Sequence, residues 1–229
     1  MVEGMVMERY TAEELAGVYR AIRERRDVRS GFLPNSLPED LVLRLLRSAH
    51  QAPSVGFMQP WRFIVIRSRE TRQAIFEIFQ DARAQEHQTY CEDRAELYSR
   101  LTLQGILTAP LNICVVCDCE SSRGHSLGRH TMPETALYSA VCAIQNLWIA
   151  ARAEGVGLGW VSIIDPERAK RVLKIPHSVT LVGYFCIGYV EAFAPEPDLE
   201  RAGWERRLPL EEVLRSETFD QAWRGIDPQ

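Results

Sequence analysis

What the sequence has little of narrows the field first. It has no excess of positive charge: 27 Lys plus Arg stand against 31 Asp plus Glu, a formal net charge of -4. Sequence-independent nucleic-acid binding needs clustered cations that displace counterions, so no DNA or RNA partner is expected. No apolar run approaches the roughly 18 to 20 residues of a membrane helix, so no membrane association is expected either. No charged-then-apolar leader precedes the six cysteines, four of which sit in apolar segments. They read as reduced thiols of a cytoplasmic protein rather than as a disulfide framework. Repeats, low-complexity stretches and long Pro/Gly/Ser linkers are also missing. One domain spanning all 229 residues, 46% of them apolar, is expected.

Several chemical signatures fail on inspection. Gly155, Gly157 and Gly159 spell G-x-G-x-G, but a helical pattern precedes them and a strand pattern follows. A dinucleotide fingerprint needs the reverse order, so that pyrophosphate meets a helix N-terminus. Cys114 and Cys117 lie three apart in a strand pattern, which sends their thiols to opposite faces. Small buried hydrophobes are the expectation there. The five histidines show no ligand spacing; His125 and His130 share a polar loop and read as solvated. No metal site is expected.

The patterns that are present describe alternating helices and strands. Residues 11–24 place Leu15, Val18, Tyr19 and Ile22 on one helical face behind a Thr11/Glu14 capping-box pair. A second helix is expected from Pro38 to His50, with Pro38 in its first turn. Strands are expected at 62–67, 110–118, 160–164 and 179–190, and a short helix at 166–173. Residues 70–107 read as helical but unusually polar around 80–96, which marks a candidate mobile cover. Residues 134–154 form the strongest helix, apolar almost all round, and belong at a domain centre or a subunit interface; Gly155 ends it. The sum is an α+β or α/β sandwich. The tail after Pro195 is too apolar to float free and is expected to wrap its own or a neighbouring subunit.

Two segments carry chemistry. Arg20, Arg23, Arg25, Arg26 and Arg29 crowd ten residues of an acidic chain. They fit a solvated basic helix face. They equally fit an anion grip, because the run leaves the helix at Arg25 and guanidinium forks match phosphate oxygens. Asp27 is out of place in such a grip; it fits a loop-shaping ion pair or proton chemistry. The second segment is the loop Ala52-Pro53-Ser54-Val55-Gly56-Phe57-Met58-Gln59-Pro60-Trp61, where Pro60 is expected to force Gln59 into an extended backbone.

Taken in order, Arg25-Arg26-Asp27-Val28-Arg29, the 52–61 loop, Gly157-Leu158-Gly159-Trp160-Val161-Ser162 and Arg207-Leu208-Pro209 resemble the nitroreductase-type flavoprotein superfamily over nearly the whole chain. Within it the strings are most similar to those of the 5,6-dimethylbenzimidazole synthases. Asp27 is the most informative residue, because ordinary nitroreductases carry serine there. One departure is Glu205, where a lysine often stands two residues before the last arginine; Arg206 is a candidate substitute.

The resemblance implies a nitroreductase-like α+β fold: a central mixed, mainly antiparallel sheet surrounded by helices, in a homodimer with a C-terminal extension at about 195–229. It implies flavin mononucleotide (FMN) bound by Arg25, Arg26, Asp27, Val28, Arg29 and Arg207, with Ser54, Gly159 and Trp160 beside the ring and a lid over about 80–105. The implied reaction is oxygen-dependent fragmentation of reduced FMN to 5,6-dimethylbenzimidazole and erythrose 4-phosphate. Asp27 would act as acid or base and Ser162 as a hydrogen-bonding partner, and a separate flavin reductase would supply the reduced FMN. Two other readings stand beside it: a nicotinamide-dependent nitroreductase or flavin reductase with stably bound FMN, and a non-catalytic flavin carrier.

Overall fold

Residues 134–154 become helix α6 (Thr135–Ala153), the element around which one face of the sheet packs. The computed structural model describes residues 9–101 and 104–223. The chain divides into two compact units, 1–195 and 196–229.

In the first unit, α1 (Ala12–Glu24) opens on the capping box expected at Thr11, and α2 (Glu39–His50) follows with Pro38 outside its first turn, at the N-cap. Strand β1 (Trp61–Ile66) leads into α3 (Arg69–His87), α4 (Glu92–Arg100) and the four-residue α5 (Gly105–Thr108). Strand β2 (Leu111–Cys117), α6, β3 (Val156–Val161), α7 (Pro166–Leu173) and β4 (Thr180–Tyr189) complete it. β3 starts four residues before the expected Trp160, because the glycines before it are paired within the strand, Gly157 with Gly188 and Gly159 with Cys186. The second unit carries α8 (Asp198–Arg201) and α9 (Leu210–Val213).

The four strands pair antiparallel in the order β1-β2-β4-β3, and a single bridge from Asp27 to Leu158 adds a parallel contact. Both faces of the sheet are covered, so the inner strands are mostly apolar rather than alternating: every residue of β2 is buried, Asn112 the one amide among them. On one face Ile113, Val115, Phe185 and Ile187 pack against α2 and α6. On the other, Cys114, Val116, Tyr184 and Cys186 meet Ile75, Ile78 and Phe79 of α3 and Ala169 of α7. Cys114 and Cys117 therefore do face opposite sides, as their spacing requires. Burial pushes both thiols up to about 12. All six cysteines are free.

The apolar stripe of α1 did not go where helical periodicity sends such stripes. Leu15, Val18, Tyr19 and Ile22 are exposed, and α6 likewise exposes Tyr138 and Val141. Only Ala21 of α1 is buried. Among the described residues no helix is long and apolar enough to cross a membrane.

Candidate functional site

The site forms where the chain leaves α1. Arg25 caps that helix with an extended backbone, and residues 26–28 run beside β3, with Val28 N donating to the Leu158 carbonyl at 3.1 Å. The approach requires glycine at 159: a Cβ there would lie 1.9 Å from the Val28 carbonyl oxygen. From the other side α6 pins the same segment. Trp148 Nε1 donates to the Arg26 carbonyl at 3.0 Å, and Arg152 reaches the Glu24 carboxylate at 2.6 Å. The Arg25 guanidinium lies over the Trp148 ring, 4.8 Å from its centroid.

This corner turns Asp27 inward. Its Oδ1 accepts from the Trp160 backbone N–H at 2.8 Å and its Oδ2 from Arg29 Nε at 3.0 Å. The pair is mostly shielded, with side-chain exposures of 29% for Asp27 and 20% for Arg29. The two terminal nitrogens of Arg29 have no partner among the described residues.

Arg29 and Trp160 line a cavity of about 70 Å³ with Val28, Gly159, Ser162 and Cys186. Phe79, Leu101, Gly105 and Ile106 close its other side. Leu101 and Gly105 belong to the segment read as a lid. That segment is a clasped helical pair: Glu86 accepts from the Tyr90 and Tyr98 hydroxyls at 3.0 and 3.2 Å, and His87 Nε2 lies 2.9 Å from Ser99 Oγ. Part of the expected lid, residues 102–103, lies outside the described residues. The Cys186 thiol is pushed well above the usual range by burial first and then by the Asp27 charge, so it stays protonated.

The other expected site residues separate into groups. Ser162 lines the cavity, and its hydroxyl has no hydrogen-bond partner among the described residues. Arg26 points away into scaffolding: its nitrogens donate to the carbonyls of Arg23, Arg25, Ala194 and Pro195. Ser54 is not in the described lining; its Oγ accepts from Gln59 N at 3.0 Å. Gln59 is not extended as expected but has φ 49°, because the tight 3-10 turn at Val55–Phe57, itself with Gly56 and Phe57 at positive φ, must reverse the chain before Pro60. Arg207 is exposed in the second unit, between α8 and α9. Cys186 and Gly105 were not singled out from sequence. Cys186 reaches the site only because β4 pairs with β3 opposite Gly159, a fact of sheet register with no local signal.

These residues fit an anionic, flat ligand such as FMN. Arg29 offers two unused terminal nitrogens at the cavity and the Ser162 hydroxyl is unspent. The cavity itself is far below the roughly 300–1,000 Å³ of typical ligand sites.

The model of the family described as Nitroreductase matches residues 22–189. The 5,6-dimethylbenzimidazole synthase of Rhodospirillum rubrum is 44% identical over 191 residues, covering 83% of this chain and 90% of that protein. A protein of the same name from Rhodobacter capsulatus is 43% identical over 190 residues, covering 83% and 91%. Among solved structures, iodotyrosine deiodinase bound to FMN and 3-iodo-L-tyrosine superimposes with a TM-score of 0.70 at 19% identity, covering 88% of this chain and 100% of that one. The NADPH:FMN oxidoreductase of Vibrio harveyi gives 0.65 at 13%, covering 90% and 79%. Matched from the end of α1 to the end of β4, and sharing their fold with these flavin proteins, residues 22–189 make this chain a member of the nitroreductase family.

Proposed function

We propose that the chain is a 5,6-dimethylbenzimidazole synthase that uses dioxygen to fragment reduced FMN, releasing erythrose 4-phosphate as the sugar remnant. The observation that carries the reading is the Asp27 carboxylate, held at 2.8 Å by Trp160 N–H and at 3.0 Å by Arg29 beside the cavity, in a chain 44% identical to a synthase. Bound there, reduced FMN supplies both the electrons for oxygen and the carbon skeleton of the product.

The residues of the chain do the rest. Arg29 holds the anionic ligand. Arg26 keeps the corner rigid. Each Asp27 oxygen accepts one hydrogen bond and retains a lone pair, so the carboxylate can take a proton from the ligand and return it. Ser162 donates to the ligand from the rim. Phe79, Leu101 and Ile106 exclude bulk water. A second copy of the chain completes the pocket. The support for this homodimer is the small cavity and the exposed apolar faces of α1 and α6. A separate reductase delivers reduced FMN, and free thiols suit a cytoplasmic location.

The test is to give the purified protein chemically reduced FMN and air, then separate the products by chromatography. Formation of 5,6-dimethylbenzimidazole supports the reading. Oxidised FMN and peroxide as the sole products overturn it, and fast nicotinamide oxidation with retained FMN establishes the reductase alternative. A flavin carrier predicts no dependence on Asp27 beyond flavin affinity.

A further inference from the structure

We infer that Arg72 and Asn112, neither of which lines the cavity, are positioning residues: they clamp α5 as a fixed wall of the pocket, and the wall governs whether the ligand is fragmented or merely oxidised. The second half of this inference rests on the synthase reading.

The need for a clamp follows from the length of α5. A four-residue helix leaves nearly all its carbonyls without helical partners; the main closing bond is Ala109 N to the Gly105 carbonyl at 2.9 Å. The orphan carbonyls are met from outside. Asn112 Nδ2, on β2, donates to the Ile106 carbonyl at 3.0 Å and to the Tyr184 hydroxyl at 2.8 Å. Arg72 Nη1, on α3, donates to the carbonyls of Leu107 and Ala109. At the other end Gln104 N donates to the Arg29 carbonyl at 3.1 Å, tying α5 to the arginine segment itself. The turn is pressed close: a Cβ on Gly105 would lie 3.0 Å from Cys186 Sγ and 3.1 Å from the Phe32 ring.

The clamp leaves two of its own polar atoms unmet. Asn112 is fully buried, its Oδ1 and Arg72 Nε are buried without partners, and Arg72 has no carboxylate partner among the described residues. Apolar side chains of similar size would remove those two atoms but leave the Ile106, Leu107 and Ala109 carbonyls without these donors. What the polar pair provides is a fixed place for Gly105 and Ile106, which face Trp160 and Ser162 across the cavity. If α5 loosens, water reaches the ligand, and oxidation with release of peroxide competes with fragmentation.

The experiment compares wild type with Asn112→Leu, Arg72→Met and Arg72→Lys. Hydrogen exchange of the 104–109 amides is read first, in the flavin-free protein. Exchange is expected to rise about tenfold in Asn112→Leu and Arg72→Met, with the β2 and β4 amides unchanged and Arg72→Lys in between. Flavin affinity should move by less than about threefold, while the ratio of benzimidazole to peroxide per folded protein falls about tenfold. Unchanged exchange, or a ratio that stays at the wild-type value once corrected for folded protein, overturns the inference. The wild-type product assay tests the synthase reading separately, and the exchange arm decides the clamp whatever that assay gives. Should Asn112→Leu not fold, the two Arg72 variants carry the same comparison.

Discussion

The Trp160 backbone N–H donates to the Asp27 carboxylate at 2.8 Å, joining positions 133 residues apart. That bond, together with Arg29, converts an acidic residue in an arginine run from an electrostatic oddity into an oriented group bonded to two residues of the cavity lining, Arg29 and Trp160. It also explains why the segment after α1 is extended: the backbone must lie flat on β3 for Oδ1 to reach residue 160.

Replacing Asp27 with Asn preserves size and keeps an acceptor for Trp160 N–H but removes the anion. Benzimidazole formation should fall by about 10²–10⁴-fold, the usual range for losing a general acid or base. Flavin affinity should hold or improve, since a negative charge leaves the anion site. Product chromatography with a flavin fluorescence titration checks both halves.

Gly159→Ala forces a methyl group onto the Val28 carbonyl, 1.9 Å from its ideal position. The 26–29 segment must lift from β3, and overpacking of this kind costs about 1–3 kcal/mol. For a chain of this length the melting temperature should drop by roughly 2–12 °C, with flavin binding weakened as well. A thermal melt and a titration on the same sample suffice.

The exposed apolar faces predict assembly. Val18→Glu or Tyr138→Glu should convert a dimer to monomer in light scattering. Cys142, one helical turn from Tyr138 and exposed in the single chain, should react with a thiol reagent in the monomeric variant and be protected in wild type. Cys91 should react in both.

Stability should decline in alkali. The Cys114 thiol titrates near 9.0 when unfolded and is pushed up to about 12 by burial when folded. Between those values the folded state holds a proton that the unfolded state has lost, so stability is complete below pH 9 and falls as pH rises towards 12. Urea midpoints at pH 7 to 11 measure this, and Cys114→Ala should flatten the upper part of the curve.

Most elements were legible because their signals are local. The capping box at Thr11, the helix 166–173 and the strand 110–118 depend on neighbours a few residues away, and each formed close to its expected place. Gln59 and β3 differed because their conformations answer to distant partners. The turn at 55–57 reverses the chain through Gln59, and Gly157 and Gly159 are strand residues only because β4 pairs with them. The α1 stripe was read correctly as apolar but not as exposed, since periodicity reports that a face needs covering and not which molecule covers it.

By itself the sequence determined the element order, the apolar layers, and the presence of Asp27 among arginines beside a G-W-V-S strand. Only the tertiary structure decided which arginine is spent on backbone carbonyls and which keeps free donors. It also decided that Cys186, Gly105 and Ile106 share a cavity with Ser162. The reason is physical. Propensity and capping act over one or two turns of chain, whereas a pocket is the meeting of sheet register, helix docking and close backbone approach, none of which leaves a mark in neighbouring residues.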